Sequence, residues 1–152
     1  MPSLEQLLRK REGCEYVVYL DSMRKPTVGI GHLVTSADKL KLGDKIDDDQ
    51  VSAFFKQDSA KALAAARAQA AKAGIKDPGF IVYLASVNFQ LGTVWNKKFK
   101  KTWALIMAGK YSTAAEEVQK SRWYSQTPVR AKDFQRALLS LEDKPDEKDA
   151  KK

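Results

Sequence analysis

The segment CEYVVYLDSMRKPTVGIGHLV, residues 14–34, is the one part of this chain that reads as β structure. Residues 16–20 and 27–34 carry the branched and aromatic side chains of strands, with DSMRKP as the turn between them. Pro26 closes that turn and biases Lys25 toward an extended backbone. Helix signals surround the segment. Ser3 followed by Gln6 forms a capping-box pattern, Leu4, Leu7 and Leu8 share one face, and Gly13 is placed to stop the first helix just after Glu12. Past a polar stretch with a Gly43-Asp44 turn, Asp47 or Asp48 caps a long alanine-rich helix. Its apolar face is strong early (Val51, Phe54, Phe55) and weak late, which suits either a connector between two lobes or a plain surface helix. Asp77-Pro78 opens another helix, ended by Gly92. Further helices are predicted from Lys97 to Ala108, from a second capping box at Thr113 and Glu116, and from Thr127-Pro128 onward.

The fold class is therefore α+β. A β lobe at about 14–47 and a larger helical lobe (1–12 plus 75–143) are joined by a helix at about 48–73, with a groove between the lobes. The charged tail 144–152 is expected to be disordered. At 152 residues this is one domain-sized chain, and 43% hydrophobic residues suffice for a core. A net charge of +8 favours an anionic partner: nucleic acid, an anionic lipid face or bacterial wall. No apolar run reaches the ~18 residues of a membrane span, and MPSLEQLLRKREG lacks the apolar core of a signal peptide, so synthesis in a cytosol is expected without stable membrane insertion. Cys14 is the single cysteine, which excludes an internal disulfide, and it reads as a small buried hydrophobe.

Among groups that could carry chemistry, Glu12 ends a helix and Asp21 stands in the turn after the first strand. Two carboxylates flanking a groove can cleave a glycosidic bond, one protonated to donate to the leaving oxygen and one ionised to activate water or attack carbon. A straight five-residue strand rises roughly 17 Å, so the chain must fold back to bring them together. With 19 acidic residues in the chain, spacing alone leaves ordinary solvated carboxylates the simpler reading. His32, the lone histidine, reads more simply as a residue satisfied by a nearby acid than as a catalytic base. One His and one Cys make no zinc cage, and GIG lacks the pattern of a phosphate loop, so neither metal nor cofactor is expected. NKKFKKTW, with Phe99 and Trp103 among lysines, fits single-stranded nucleic acid, a sugar-stacking wall or an amphipathic helix.

Taken together, REGCEYVVYLDSMRKPTVGIGHLVT resembles the catalytic segment of the T-even-type phage lysozymes, glycoside hydrolase family 24. That pattern is Glu-Gly, a short strand, Asp, five residues, then Thr-x-Gly-x-Gly-His. SRWYSQTPVRAK, residues 121–132, is a second match, and FQLG, residues 89–92, a third. The resemblance implies a lysozyme-like fold and a muramidase that hydrolyses the β-1,4 bond between N-acetylmuramic acid and N-acetylglucosamine in bacterial peptidoglycan. It implies Glu12 as general acid, Asp21 as the carboxylate that directs water or steadies positive charge, and Thr27 as the holder of the attacking water. Arg130 would stand beside Glu12 with Thr127 supporting that wall, and His32 would pair with Asp58. Leu33, Phe89, Gln90 and Thr102 fall where sugar is contacted. Inversion is implied, which requires the carboxyls to stand about 6.5–9.5 Å apart.

The resemblance further implies a monomeric endolysin made in the host bacterial cytoplasm, released to the periplasmic wall by a holin-type membrane-opening partner, with no nucleic acid involved. Three departures stand out: the Asp21 turn lacks the glycine often seen there, the stretch from His32 to Asp58 is shorter, and Glu117 replaces a sugar-contacting asparagine. The alternatives are a lytic transglycosylase, in which Asp21 and Thr27 idle, a nucleic-acid-binding module built on NKKFKK, and a wall-binding domain without catalysis.

Overall fold

A computed structural model describes residues 2–142, and the tail expected at 144–152 lies outside them. Contacts divide the chain into two compact units, the first ending at Lys61 and the second starting at Ala62. The α+β architecture expected from the sequence is present: a small β-containing unit, a larger helical unit, and a long helix running from one into the other.

The first unit opens with α1 (Leu4–Glu12). The Ser3 hydroxyl accepts from the Gln6 N–H and the Gln6 side chain accepts from the Ser3 N–H, so two of the four orphan donors at the helix start are satisfied. β1 (Glu15–Leu20), β2 (Pro26–Gly29) and β3 (His32–Leu33) follow as an antiparallel meander in the order β1-β2-β3. The sequence predicts one strand over 27–34; two strands are found. Gly29 and Gly31 take φ of 66° and 67°, a backbone that L side chains resist, and turn the chain between Val28 and its cross-strand partner His32. A short 3-10 turn (Ser36–Asp38) and a bridge from Lys45 to Val17 complete the β part. Val18, Val28, Ile30, Ile46, Val51 and Phe55 are buried, as are Leu7 and Leu8 of α1.

α2 (Asp48–Lys72) starts at Asp47, whose carboxylate accepts from the Gln50 N–H while the Gln50 side chain accepts from the Asp47 N–H. Its later part is not a weak face. Ala62, Ala66 and Ala70, spaced four apart, are buried, so the alanines form a small-residue seam.

The helical unit continues with α3 (Pro78–Leu91), capped by Asp77, then α4 (Trp95–Lys98) and α5 (Lys100–Met107). The helix predicted over 97–108 is broken at Phe99, which adopts φ −98°, ψ 59°. α6 (Tyr111–Gln119), α7 (Arg122–Gln126) and α8 (Pro128–Glu142) complete it. The capping box predicted at Thr113 and Glu116 does not form. α6 starts earlier, and its first N–H groups, those of Tyr111 and Ser112, donate to Glu142 Oε1 at 3.1 and 3.2 Å, so a distant carboxylate does the work of a local cap. The core of this unit is aromatic: Phe134 meets Trp95, Phe80 and Trp123 with ring centres 5.7, 5.8 and 6.1 Å away.

Candidate active site

The Asp21 turn is built by Asp21 itself. One carboxylate oxygen, Oδ1, accepts from the Met23 and Lys25 N–H groups, both at 2.8 Å, and the Asp21 N–H donates to the Lys25 carbonyl at 2.9 Å. These bonds fix the carboxylate's direction and leave Oδ2 without a hydrogen bond among the described residues. The glycine missing from this turn has a structural counterpart: Arg24 occupies the left-handed region, φ 59°. For a residue with a Cβ that conformation costs about 1–2 kcal/mol, which the two N–H bonds offset.

Thr27 lies opposite Tyr19 on β1 and opposite Leu33 on β3. Directly opposed residues of an antiparallel pair project to the same face, so Tyr19, Thr27 and Leu33 form a row across the sheet. Val18 and Val28, their chain neighbours, point to the other face and are buried. Thr27 is 3% exposed between Tyr19 at 37% and Leu33 at 50%, a low residue between two standing ones. Its hydroxyl donates to the Lys25 carbonyl at 2.9 Å, which leaves the oxygen's lone pairs to accept.

Glu12, the last residue of α1, is exposed. Its Oε1 lies 3.9 Å from where a Cβ on Gly31 would stand. The β2–β3 turn therefore comes up against the end of α1. Tyr19 ties the two carboxylates together electrostatically: its phenol is held above the usual range by burial first, then by the charges of Glu15, Asp21 and Glu12. Glu12 and Asp21, at opposite ends of β1, thus both act on one side chain of that strand.

His32 is buried and stacked on Phe54, with ring centres 4.0 Å apart. Its Nδ1 lies 2.6 Å from Asp58 Oδ2 and its Nε2 2.8 Å from Asp38 Oδ2. Only the imidazolium can donate to both. Burial lowers the His32 pKa, but the bonds to Asp38 and Asp58 outweigh it and the net direction is up. Burial raises the Asp38 pKa, but the Thr35 N–H and the His32 ring outweigh that and the net direction is down. Asp38 was not singled out in the sequence. The available signal is the run Thr35-Ser-Ala-Asp38, which closes its own capping box and so aims the Asp38 carboxylate back toward the strand.

The remaining residues singled out lie in the helical unit. Gln90, half-buried on α3, accepts from Trp123 Nε1 at 2.9 Å and donates to Thr127 Oγ1 at 3.2 Å. Arg130 is buried and donates to the Ser86 hydroxyl and carbonyl at 3.0 and 3.3 Å. Nothing in the sequence pointed to Ser86. Phe89 is half-buried, and Thr102 is buried at 5% exposure. Glu117 sits between two lysines, Lys101 at 3.3 Å and Lys120 at 3.7 Å. Phe99 and Trp103 pack on Trp95, and Phe99 also on Trp123, while Lys97, Lys98, Lys100 and Lys101 face solvent. Both aromatics of NKKFKKTW are half-buried against other rings while its lysines are exposed, the arrangement of the amphipathic reading. Cys14 is half-buried, with its sulfur 3.6 Å from Arg9.

Known proteins resemble this chain along most of its length. A Dictyostelium discoideum protein described as "Probable T4-type lysozyme 2" is 30% identical over 151 residues, covering 85% of this chain and 89% of its own length. A second from that organism, "Probable T4-type lysozyme 1", is 28% identical with the same coverage, 85% and 89%. "Peptidoglycan hydrolase gp36" of Pseudomonas phage phiKMV is 29% identical over 119 residues, which span 78% of this chain but only 13% of that longer protein. The profile of the phage lysozyme family matches residues 9–136, from α1 through most of α8. That match takes in both the Glu12–His32 segment and Arg130, and the chain belongs to the phage lysozyme family.

Proposed function

We propose that this protein is a muramidase that hydrolyses the β-1,4 bond between N-acetylmuramic acid and N-acetylglucosamine in bacterial peptidoglycan, with inversion at the anomeric carbon. The observation that carries the reading is the Asp21 carboxylate aimed by two backbone N–H bonds in the turn before Thr27, with Glu12 against the Gly31 turn, in a chain whose family is established. Glu12 gives its proton to the leaving glycosidic oxygen. A water lying over Thr27 donates one O–H to the Thr27 oxygen, whose own proton is already committed to the Lys25 carbonyl. The other O–H points to Asp21 Oδ2, which takes the proton as the water oxygen bonds to the anomeric carbon. The C–O bond breaks toward Glu12, and charge and protons balance: one carboxyl has lost a proton and the other has gained one. The backbone bonds on Asp21 Oδ1 keep its partner oxygen oriented for this step.

The test is wild type against Glu12→Gln on purified peptidoglycan. Glu12→Gln is expected to lose about a thousandfold or more in rate, since a positioned acid supplies about 10²–10⁴, with the fold unchanged by circular dichroism. Wild-type product read at once by NMR should be the α-anomer with a reducing muramic end. A β-anomer would point to a covalent intermediate on Asp21, and an anhydro end to a transglycosylase. Substantial lysis by Glu12→Gln would remove the acid role altogether.

A further inference from the structure

Two tyrosines of β1 have different surroundings. The Tyr16 hydroxyl donates to Asp48 Oδ1 at 2.5 Å and receives Arg9 at 3.4 Å, so it is fully used within the protein. The Tyr19 hydroxyl makes no hydrogen bond among the described residues, although its side chain is only 37% exposed. An aromatic that keeps its ring half-covered and its O–H unclaimed, on the face shared with Thr27, has the form of a ligand contact. A sugar ring meets such a residue in two ways. Its C–H face lies on the aromatic ring, and its hydroxyl or acetamide oxygen accepts the phenolic proton.

We propose that Tyr19 is a substrate-binding residue, forming with Leu33 the two walls of a notch floored by Thr27 and donating its phenolic O–H to an oxygen of the bound glycan. The proposal rests on the muramidase reading and adds a sugar contact that the sequence motifs do not contain. Register supports it: Tyr19 and Leu33 are the two cross-strand partners of Thr27, so any sugar placed over Thr27 lies between them. Chemistry supports it too. The donor is a neutral phenol, whose pKa is raised above the ordinary 10 by burial first and by the neighbouring carboxylates next, so the bond does not switch off near neutral pH. A cation at this position would instead pair with Glu12 and Asp21 and compete with their roles.

The experiment compares Tyr19→Phe, Tyr16→Phe and Glu12→Gln with wild type, using soluble uncross-linked peptidoglycan strands for kinetics and thermal unfolding for stability. Tyr19→Phe removes one oxygen that bonds to nothing in the protein. It is expected to raise KM about three- to tenfold, the span of one neutral hydrogen bond, with kcat and Tm unchanged. Tyr16→Phe is expected to do the reverse, lowering Tm and leaving KM alone. An unchanged KM in Tyr19→Phe overturns the proposal. So does a Tm loss that accounts for its activity change, because the hydroxyl would then be structural. Full activity in Glu12→Gln would sink the muramidase reading, an outcome separate from an inactive Glu12→Gln beside a wild-type Tyr19→Phe.

Discussion

His32 shows how a single buried charge couples the β unit to pH. Its folded pKa is raised above the ordinary 6.5, so protonation favours the fold. That contribution is complete below about 6.5 and is lost as pH rises through the elevated folded value. Asp38 runs the other way: its pKa is depressed below 3.8, so its contribution is complete above about that pH and is lost as pH falls through the folded value. The Asp58–His32–Asp38 bridge is therefore strongest between about pH 4 and pH 6.5. We expect Tm to decline on the alkaline side of that window, and His32→Asn to flatten the decline. The variant should also cost about 3 kcal/mol, because two partly buried carboxylates lose their cation. Urea titrations at several pH values check both. A variant as pH-dependent as wild type would mean that another group sets the slope. At this scale the sequence was only half legible. Glu12, Asp21 and Thr27 are singled out by a family resemblance and not by spacing alone, whereas Asp38 and Ser86 become partners only once the chain has folded, and no local pattern connects Ser86 with Arg130 at a distance of 44 positions.

At the scale of elements, what reads well is what is local. The Ser3, Asp47 and Asp77 caps and the strand segments follow from neighbours a few residues apart. What reads badly depends on distant atoms: Glu142 capping α6, the buried alanine seam of α2, and the break at Phe99 where the ring turns toward Trp95 and Trp123. The largest such surprise is a buried amide pair. Gln69 of α2 and Asn88 of α3 exchange two hydrogen bonds, at 2.9 and 3.1 Å, and Trp95 Nε1 donates to the same Gln69 oxygen at 3.0 Å. Asn88 also donates to the Leu84 carbonyl at 2.9 Å. Each polar atom finds a partner, so the network specifies how α2, α3 and α4 meet within the helical unit. Asn88→Leu would strand one Gln69 donor in an apolar setting, at about 2–3 kcal/mol. Replacing both residues, Gln69→Met with Asn88→Leu, should cost less than the two single changes together, since no orphan amide remains, although the buried Trp95 N–H loses its acceptor. A double variant worse than the sum of the two single ones would argue that the pair stabilises through geometry and not through satisfaction.

Charge acts at the scale of the whole molecule. The chain carries 27 basic and 19 acidic residues, a net +8. Among the described residues the lysines of α4 and α5 apart from Lys101 bridge to no acid. The charge of these lysines therefore neither pairs within the fold nor takes part in the proposed chemistry. Its physical consequence is a long-range attraction to an anionic polymer. Such attraction raises the rate of encounter and the residence on a wall without altering the chemical step. Raising ionic strength from about 0.01 M to about 0.15 M shortens the screening length from about 30 Å to about 8 Å. Over that range we expect the lysis rate on whole walls to fall about tenfold, while kcat on a short peptide-free glycan fragment, which carries few charges, stays constant. Turbidity loss on walls and reducing-end release from the fragment, measured in the same buffers, separate the two effects. If the fragment reaction falls as steeply as lysis, salt is acting on the carboxylates of the site. If neither falls, the charge serves solubility, and the enzyme finds its substrate by diffusion alone.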